Sequence, residues 1–251
     1  MLPVSSLQNP VIKRIRSLAD RKGRREAGQF VAEGHAMLER ALALGWQPDI
    51  FVATKPQTIW ENVKPLLVTE KVMAELSGQN NPLDVLAVFR QRFQPHPAKE
   101  GLWLALEEIR DPGNLGTILR TADATSVSGI ILAGNCCDPF SPEAVRASTG
   151  SIFALPIVNM KVEGLIDFAR AWPGDCVGTL STAKRDFRCA YASPTLLLMG
   201  NETRGLSQAL SAACNIQVRI PMKPGVESLN LATATALMLY EIVKPGVTEG
   251  P

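Results

Sequence analysis

Five short strand-like runs, most of them apolar, mark the second half of the chain: Leu102–Leu106, Gly129–Ala133, Cys176–Leu180, Thr195–Met199 and Ile216–Ile220. Runs of this length suit strands buried on both faces. Helical patterns lie between them over Leu115–Ala124, Gly164–Ala171 and Leu206–Ala213, and a last one covers Leu229–Val243. Strands alternating with helices predict an α/β fold with a mostly parallel sheet covered on both faces. In such sheets ligands bind beyond the carboxyl ends of the strands.

The first part of the chain mixes the same ingredients on a smaller scale. Phe30–Ala32, Ile50–Val52, Leu66–Val68 and Val85–Phe89 read as strands. His35–Leu44 reads as a helix with Met37, Leu38, Ala41 and Leu42 on one face, and Gly45 is placed to end it. Between the two parts, Gln91–Gly101 carries two prolines, polar neighbours and a closing glycine, which stop regular structure. The expected domains are therefore 1–93, a linker at 94–101, and 102–251.

Composition removes several classes. Hydrophobic residues make up 46% and charged residues 20%, so a large core can be buried and a disordered chain is excluded. No run approaches the roughly 18 apolar residues that span a bilayer. The start, MLPVSSLQNPVIKRIRS, has no apolar stretch of the kind a secretory signal needs, so a cytoplasmic protein is expected. The five cysteines form no C-x-x-C, and there are only two histidines, so neither a disulfide framework nor a metal site is expected.

The formal charge of +2 hides an asymmetry. Lys13, Arg14, Arg16, Arg21, Lys22, Arg24 and Arg25 stand within thirteen residues against a single acid, Asp20. Such density fits a footprint for a polyanion, and equally a solvated helix face followed by a basic turn.

Three polar, glycine-marked stretches follow apolar runs. In the first, Asp111-Pro112-Gly113-Asn114 signals a turn before a helix. Asn114 there suits the helix cap, and Arg120 lies six residues further on. In the second, the run Leu196–Met199 enters Gly200-Asn201-Glu202 directly. Glycine admits close approach to the backbone, and Glu202 can accept from a hydroxyl or cap the next helix. In the third, Pro221, Pro224 and Gly225 hold a long irregular loop before Ser228, Asn230 and a helix rich in small residues. Each stretch alone also suits an ordinary turn. Neither G-x-G-x-x-G nor G-x-x-x-x-G-K-[ST] occurs, so dinucleotide-binding and P-loop readings lack their key signal.

Together the stretches carry a resemblance. DPGNLGTILRTADA (Asp111–Ala124), LLLMGNETRGLS (Leu196–Ser207) and IPMKPGVESLNLATATA (Ile220–Ala236) stand in the order and spacing of the SpoU (TrmH-like) RNA methyltransferases of the SPOUT superfamily. DPFSPEAVRASTGSIFALPI (Asp138–Ile157) is also similar to that family, and GQFVAEGHAMLERAL (Gly28–Leu42) resembles its N-terminal substrate-binding domain. The resemblance implies a C-terminal domain tied into a deep trefoil knot, a rare exception to unknotted topology. It implies a homodimer, with S-adenosyl-L-methionine bound at positions matching Gly200, Ile220 and Leu229, together with Leu180 and Leu198. It also implies methyl transfer to a ribose 2′-hydroxyl, without a metal, at positions matching Asn114, Arg120, Glu202, Ser228 and Asn230.

Arg120 matches the arginine proposed in the family as the base, acting at a dimer partner's site. A guanidinium resists deprotonation, so clamping the adjacent phosphate and stabilising the developing alkoxide is the other role open to it. The chain departs from the family at Thr203-Arg204, at Ser128 and at Leu231-Ala232-Thr233, and none of these removes a matched residue. The expected substrate is structured RNA, with ribosomal RNA ahead of tRNA, and the basic segment Lys13–Arg25 is expected to meet its phosphates. The alternatives are a non-catalytic RNA-binding or ribosome-assembly protein on the same fold, and a nucleotide-binding α/β enzyme of another kind.

Overall fold

The computed structural model describes residues 2–226 and 228–244. Glu227, inside the third stretch, and residues 245–251, at the end of the expected second domain, lie outside the described residues. The elements in chain order are α1 (Pro10–Ser17), α2 (Arg21–Ala27), β1 (Gln29–Glu33), α3 (His35–Ala43), β2 (Ile50–Ala53), β3 (Leu66–Leu67), α4 (Glu70–Ser77) and β4 (Val85–Arg90). They continue with β5 (Leu102–Glu107), α5 (Pro112–Ala124), β6 (Gly129–Ala133), α6 (Pro142–Ser148), a short 3-10 turn at Ser151–Phe153, β7 (Ile157–Met160) and α7 (Val162–Arg170). The last are β8 (Asp175–Thr179), β9 (Arg185–Asp186), β10 (Thr195–Met199), α8 (Gln208–Ala213), β11 (Ile216–Arg219) and α9 (Leu231–Val243). No described helix is long and apolar enough to cross a membrane.

The chain forms two compact units. The first comprises Met1–Gln91 with Asp138–Ala154. Its sheet has the order β1-β4-β2-β3, antiparallel except for the β2–β3 pair. Period-two alternation along β4 splits the core. Leu86 and Val88 join Ile12, Ile15, Leu18, Val72 and Met73 from the α1 and α4 side. Phe89 turns the other way, into a cluster of rings with Phe30, Trp46 and Phe153. Phe140 stacks on Phe30 with centroids 4.7 Å apart, and the Trp46 indole donates to the Phe153 carbonyl at 2.9 Å. These contacts place Asp138–Ala154 in the first unit, whereas the expected boundaries kept it in the second. The reason is that Phe140 and Phe153 complete an aromatic core that the first ninety residues leave open.

The second unit comprises Arg92–Cys137 and Leu155–Pro251. Its seven strands run in the order β7-β6-β5-β10-β8-β11-β9, and every pair is parallel. All five runs are strands of this sheet. Trp103, Ala105, Ile131, Leu196 and Leu198 face a core shared with α7 and α8, while Leu104, Leu106 and Leu197 are buried on the opposite face. The short edge strands β7 and β9 carry no long apolar run and were not expected.

Candidate active site

The loops leaving the carboxyl ends of β8, β10 and β11 surround a cavity of about 460 Å³, with Leu231 and Ala234 of α9 closing one side. Its walls combine apolar groups (Leu180, Met199, Ile220, Leu229) with polar ones (Thr179, Ser181, Glu202, Ser228). A volume of this order suits a small organic ligand or cofactor, and the mixed lining supplies both shape and orientation.

The loop after β10 sets the cavity's form. Gly200 runs so close to the returning chain that a β-carbon there would lie 2.0 Å from the Gly205 carbonyl carbon and from the Leu206 nitrogen. No larger residue fits without moving backbone. The return is a tight loop: Asn201 and Gly205 exchange backbone hydrogen bonds of 3.1 and 2.9 Å. The Asn201 side chain holds it at both ends. Its Oδ1 accepts from the Thr203 N–H at 2.9 Å, and its Nδ2 donates to the Glu108 carbonyl at 2.8 Å.

That loop delivers Glu202 to the start of α5. Its carboxylate accepts from the backbone N–H groups of Arg110 and Asp111 at 3.3–3.4 Å and from Asn114 Nδ2 at 3.5 Å. Each bond is long, so the carboxylate is held by several weak donors. Asn114 in turn accepts from Asn230 Nδ2 at 2.9 Å. Asn230 is the N-cap of α9, its Oδ1 accepting from the Ala232 and Thr233 N–H groups at 2.9 and 3.2 Å. The cap fixes which way the Asn230 amide points, and so which atoms Asn114 and Glu202 present to each other. A line of three side chains thus runs from α9 through α5 to a carboxylate lining the cavity.

The expected cap role of Asn114 is corrected here. Asp111 caps α5 instead, its Oδ1 accepting from the Asn114 N–H at 2.6 Å. The turn Asp-Pro-Gly-Asn puts proline at the first helical position and aspartate before it, which frees the Asn114 side chain. Leu198 also differs from expectation. It is fully buried in the core beneath the sheet and does not line the cavity; its neighbour Met199 does. Successive strand residues face opposite sides, so only one of the pair can do so. Arg120 is exposed on α5 and does not line this chain's own cavity; among the described residues its side chain makes no ion pair or hydrogen bond. Thr179, Ser181, Thr182 and Arg204 line the cavity but were not singled out from sequence. The first three lie at or just beyond the carboxyl end of β8, and the strand-end rule alone points to them.

Cys137 stands close to the acidic edge of this site. Burial, then the charges around it, Glu202 and Asp111 included, push its thiol up to about 12. At pH 8 the thiolate is then only about one part in ten thousand. We expect Cys137 to escape alkylation by iodoacetamide at pH 8 under conditions that label an ordinary exposed thiol, read by peptide mass mapping. Rapid labelling would contradict its burial.

The basic segment belongs to the first unit and forms α1 and α2. Lys13, Arg14, Arg16, Arg21, Lys22 and Arg25 are exposed. Arg16 and Lys22 make loose pairs with Glu75 and Glu26 at 3.8 and 3.9 Å, and Arg14 donates to Gln29 at 2.9 Å. Exposed pairs of this kind contribute little and yield readily to another anion. Arg24 is the exception and corrects its expected place in the footprint. It is only 4% exposed, bonds Asp138 at 2.8 Å, and donates to the Leu18 and Ala19 carbonyls at 2.8 and 2.7 Å. It ties the α1–α2 turn to the rest of the first unit.

Comparison with known proteins bears on both units. Residues 101–240 match the model of the SpoU rRNA Methylase family, and residues 9–87 match an MRM3-like substrate binding domain. An uncharacterized tRNA/rRNA methyltransferase of Synechocystis is 37% identical, with 95% of this chain and 92% of the relative covered. A 23S rRNA (uridine(2479)-2′-O)-methyltransferase of Streptomyces viridochromogenes is 33% identical over 92% of this chain and 88% of its own. Among solved structures, an AdoMet-bound rRNA methyltransferase from Sinorhizobium meliloti superposes with a TM-score of 0.91 at 40% identity, covering 98% of this chain and 99% of that one.

Proposed function

The chain belongs to the SpoU rRNA methylase family, and from that premise we propose that it transfers a methyl group from S-adenosyl-L-methionine to a ribose 2′-hydroxyl of ribosomal RNA. The observation that carries this reading is the Asn230–Asn114–Glu202 line ending at a cavity built on strand ends. It places a fixed acceptor beside a slot of cofactor size. The names of the relatives favour ribosomal RNA over tRNA.

The residues present fit the cofactor. Leu180, Met199, Ile220 and Leu229 supply an apolar slot, and the bare backbone at Gly200 permits close approach. When bound, S-adenosyl-L-methionine supplies an already activated methyl group, so the chain's own task is positioning and proton removal. Glu202 accepts a hydrogen bond from the incoming ribose hydroxyl, orients its oxygen and takes up the proton that the hydroxyl gives up. Asn114 and Asn230 keep that carboxylate in register, and Ser228 adds a hydroxyl to the same wall. Holding the reacting groups in line contributes several kcal/mol to the rate, in the range of about 7–11 kcal/mol at most.

A homodimer and the trefoil knot are part of the same proposal. Arg120 is exposed and does not line its own cavity, which supports service at a second copy's site. Leu237 and Tyr240, three residues apart on α9, are 40% and 54% exposed and offer an apolar face to that copy. The non-sequential strand order β5-β10-β8-β11, with α9 returning to pack on α5, supports the knot. At the partner's site the Arg120 guanidinium stabilises the developing alkoxide and the neighbouring phosphate.

The test pairs calorimetry with turnover. We expect Arg120→Ala to keep the wild-type Kd for S-adenosyl-L-methionine while kcat falls about 10²–10³-fold, the usual cost of losing one transition-state donor. Unchanged kcat would remove Arg120 from the chemistry. Failure of the wild-type protein to bind S-adenosyl-L-methionine would overturn the function itself.

A further inference from the structure

Glu108 combines two unusual features. It has φ of +50°, a left-handed conformation that non-glycine residues rarely adopt, at the point where β5 gives way to the site. Such outliers persist where the surroundings over-determine them, and they concentrate at functional positions. Its carboxylate also holds two arginines: Arg204 Nη2, and Arg110 Nη2 at 3.6 Å. Both guanidiniums remain largely open to solvent, at 70% and 50% exposure, while Glu108 itself is only 26% exposed.

The two arginines bracket the reactive carboxylate. Arg110 gives its backbone N–H to Glu202 at 3.4 Å, and Arg204 lies two residues beyond Glu202 and lines the cavity. The left-handed turn at Glu108 aims the side chain at both. Its backbone carbonyl meanwhile secures the same loop through Asn201 Nδ2 at 2.8 Å. Glu202 and Asp111 stand beside the pair, so the two guanidiniums meet a phosphodiester through their directed N–H donors rather than through a net positive charge. Planar, forked donors suit phosphate oxygens, and fixing them beforehand lowers the ordering cost when the anion arrives.

We propose that Arg110 and Arg204, held in place by Glu108, form a phosphate subsite that receives a backbone phosphodiester of the substrate RNA next to the methylated ribose. This rests on the RNA-methyltransferase reading above. Glu108 is a positioning residue; the arginines touch the substrate.

The experiment compares wild-type protein with Arg110→Ala/Arg204→Ala, Glu108→Gln and Glu108→Gly. It reads S-adenosyl-L-methionine Kd, RNA affinity across a salt series, and KM and kcat for a ribosomal RNA transcript. The double arginine variant is expected to raise KM for RNA about tenfold and to lower the salt slope by about one, the signature of a lost phosphate contact. Glu108→Gln separates positioning from bare charge. Removing a negative charge strengthens RNA binding if the arginines act only as cations, and weakens it if the carboxylate aims them. Glycine accepts φ of +50° without strain, so Glu108→Gly keeps the turn and must weaken RNA binding as Glu108→Gln does. Tighter RNA binding by Glu108→Gln, or an effect of the arginine variant on cofactor rather than RNA, overturns the proposal. If wild-type protein transfers methyl groups and the variants match it, the subsite fails alone. If wild-type protein transfers none, the function fails, and the salt slopes still decide whether the arginines meet RNA phosphate.

Discussion

Replacing Gly200 by alanine is expected to abolish S-adenosyl-L-methionine binding while leaving most of the fold intact. The added β-carbon would meet the Gly205 carbonyl carbon and the Leu206 nitrogen at 2.0 Å, both backbone atoms with no flexible end to swing aside. The clash must push the Asn201–Gly205 loop away from β10. That displaces Glu202 and Arg204 from the cavity wall together. We expect the Kd to rise at least about 100-fold, a loss of about 2.7 kcal/mol or more of binding free energy. The cost to the sheet is smaller, because β10 keeps both parallel neighbours, β5 and β8. Calorimetry for the cofactor and circular dichroism for the fold check the two halves. Wild-type affinity in Gly200→Ala would mean that the cavity does not hold the cofactor.

Arg24→Met is expected to destabilise the protein by about 3–5 kcal/mol, the range for breaking a buried ion pair from one side. The substitution strands Asp138 at 15% exposure and deprives the Leu18 and Ala19 carbonyls of a donor. Asp138 also accepts from the Phe140 N–H at 2.9 Å, so the aromatic core of the first unit is disturbed through it. Removing both charges, as Arg24→Met with Asp138→Asn, should recover part of the loss. By contrast, Lys13→Ala, Lys22→Ala and Arg25→Ala should each stay within about 0.5 kcal/mol of wild type, as exposed substitutions usually do. Urea unfolding measures all of them. A stability change below 1 kcal/mol for Arg24→Met would return Arg24 to the RNA-facing set.

The central strands were readable because parallel strands buried on both faces need uninterrupted apolar side chains. Leu104, Ile131 and Leu197 each stand in such a run and each are fully buried. The edge strands were not readable. β7 buries only Ile157 and Val158, and β9 is two polar residues, so both are too short to carry a strand pattern. The buried face of α1 escaped notice for a different reason. Only Ile12 and Ile15 mark its buried face, and the surrounding charge dominates the pattern, although Asn9 before Pro10 is a capping signal.

The site divides similarly. Gly200, Glu202 and Asn230 were singled out because turn chemistry and strand ends point to loops. Their connections were not: Asn114 meets Glu202 across 88 residues and Asn230 across 116, and local spacing carries no information about such pairs. Burial of Arg24 was hidden for the same reason, since its partner Asp138 lies 114 residues away. Charge density in sequence identifies cations, and only tertiary structure tells a scaffold arginine from a free one.

The most direct test of the account is methyl transfer itself. Purified protein would be incubated with radiolabelled S-adenosyl-L-methionine and, in separate tubes, unmodified ribosomal RNA and tRNA transcripts. The RNA would then be digested to nucleosides and the label assigned to base or ribose. The account predicts label on a ribose 2′-oxygen of ribosomal RNA, lost in Gly200→Ala and reduced in Arg120→Ala. Label on a base, or only on tRNA, would contradict it.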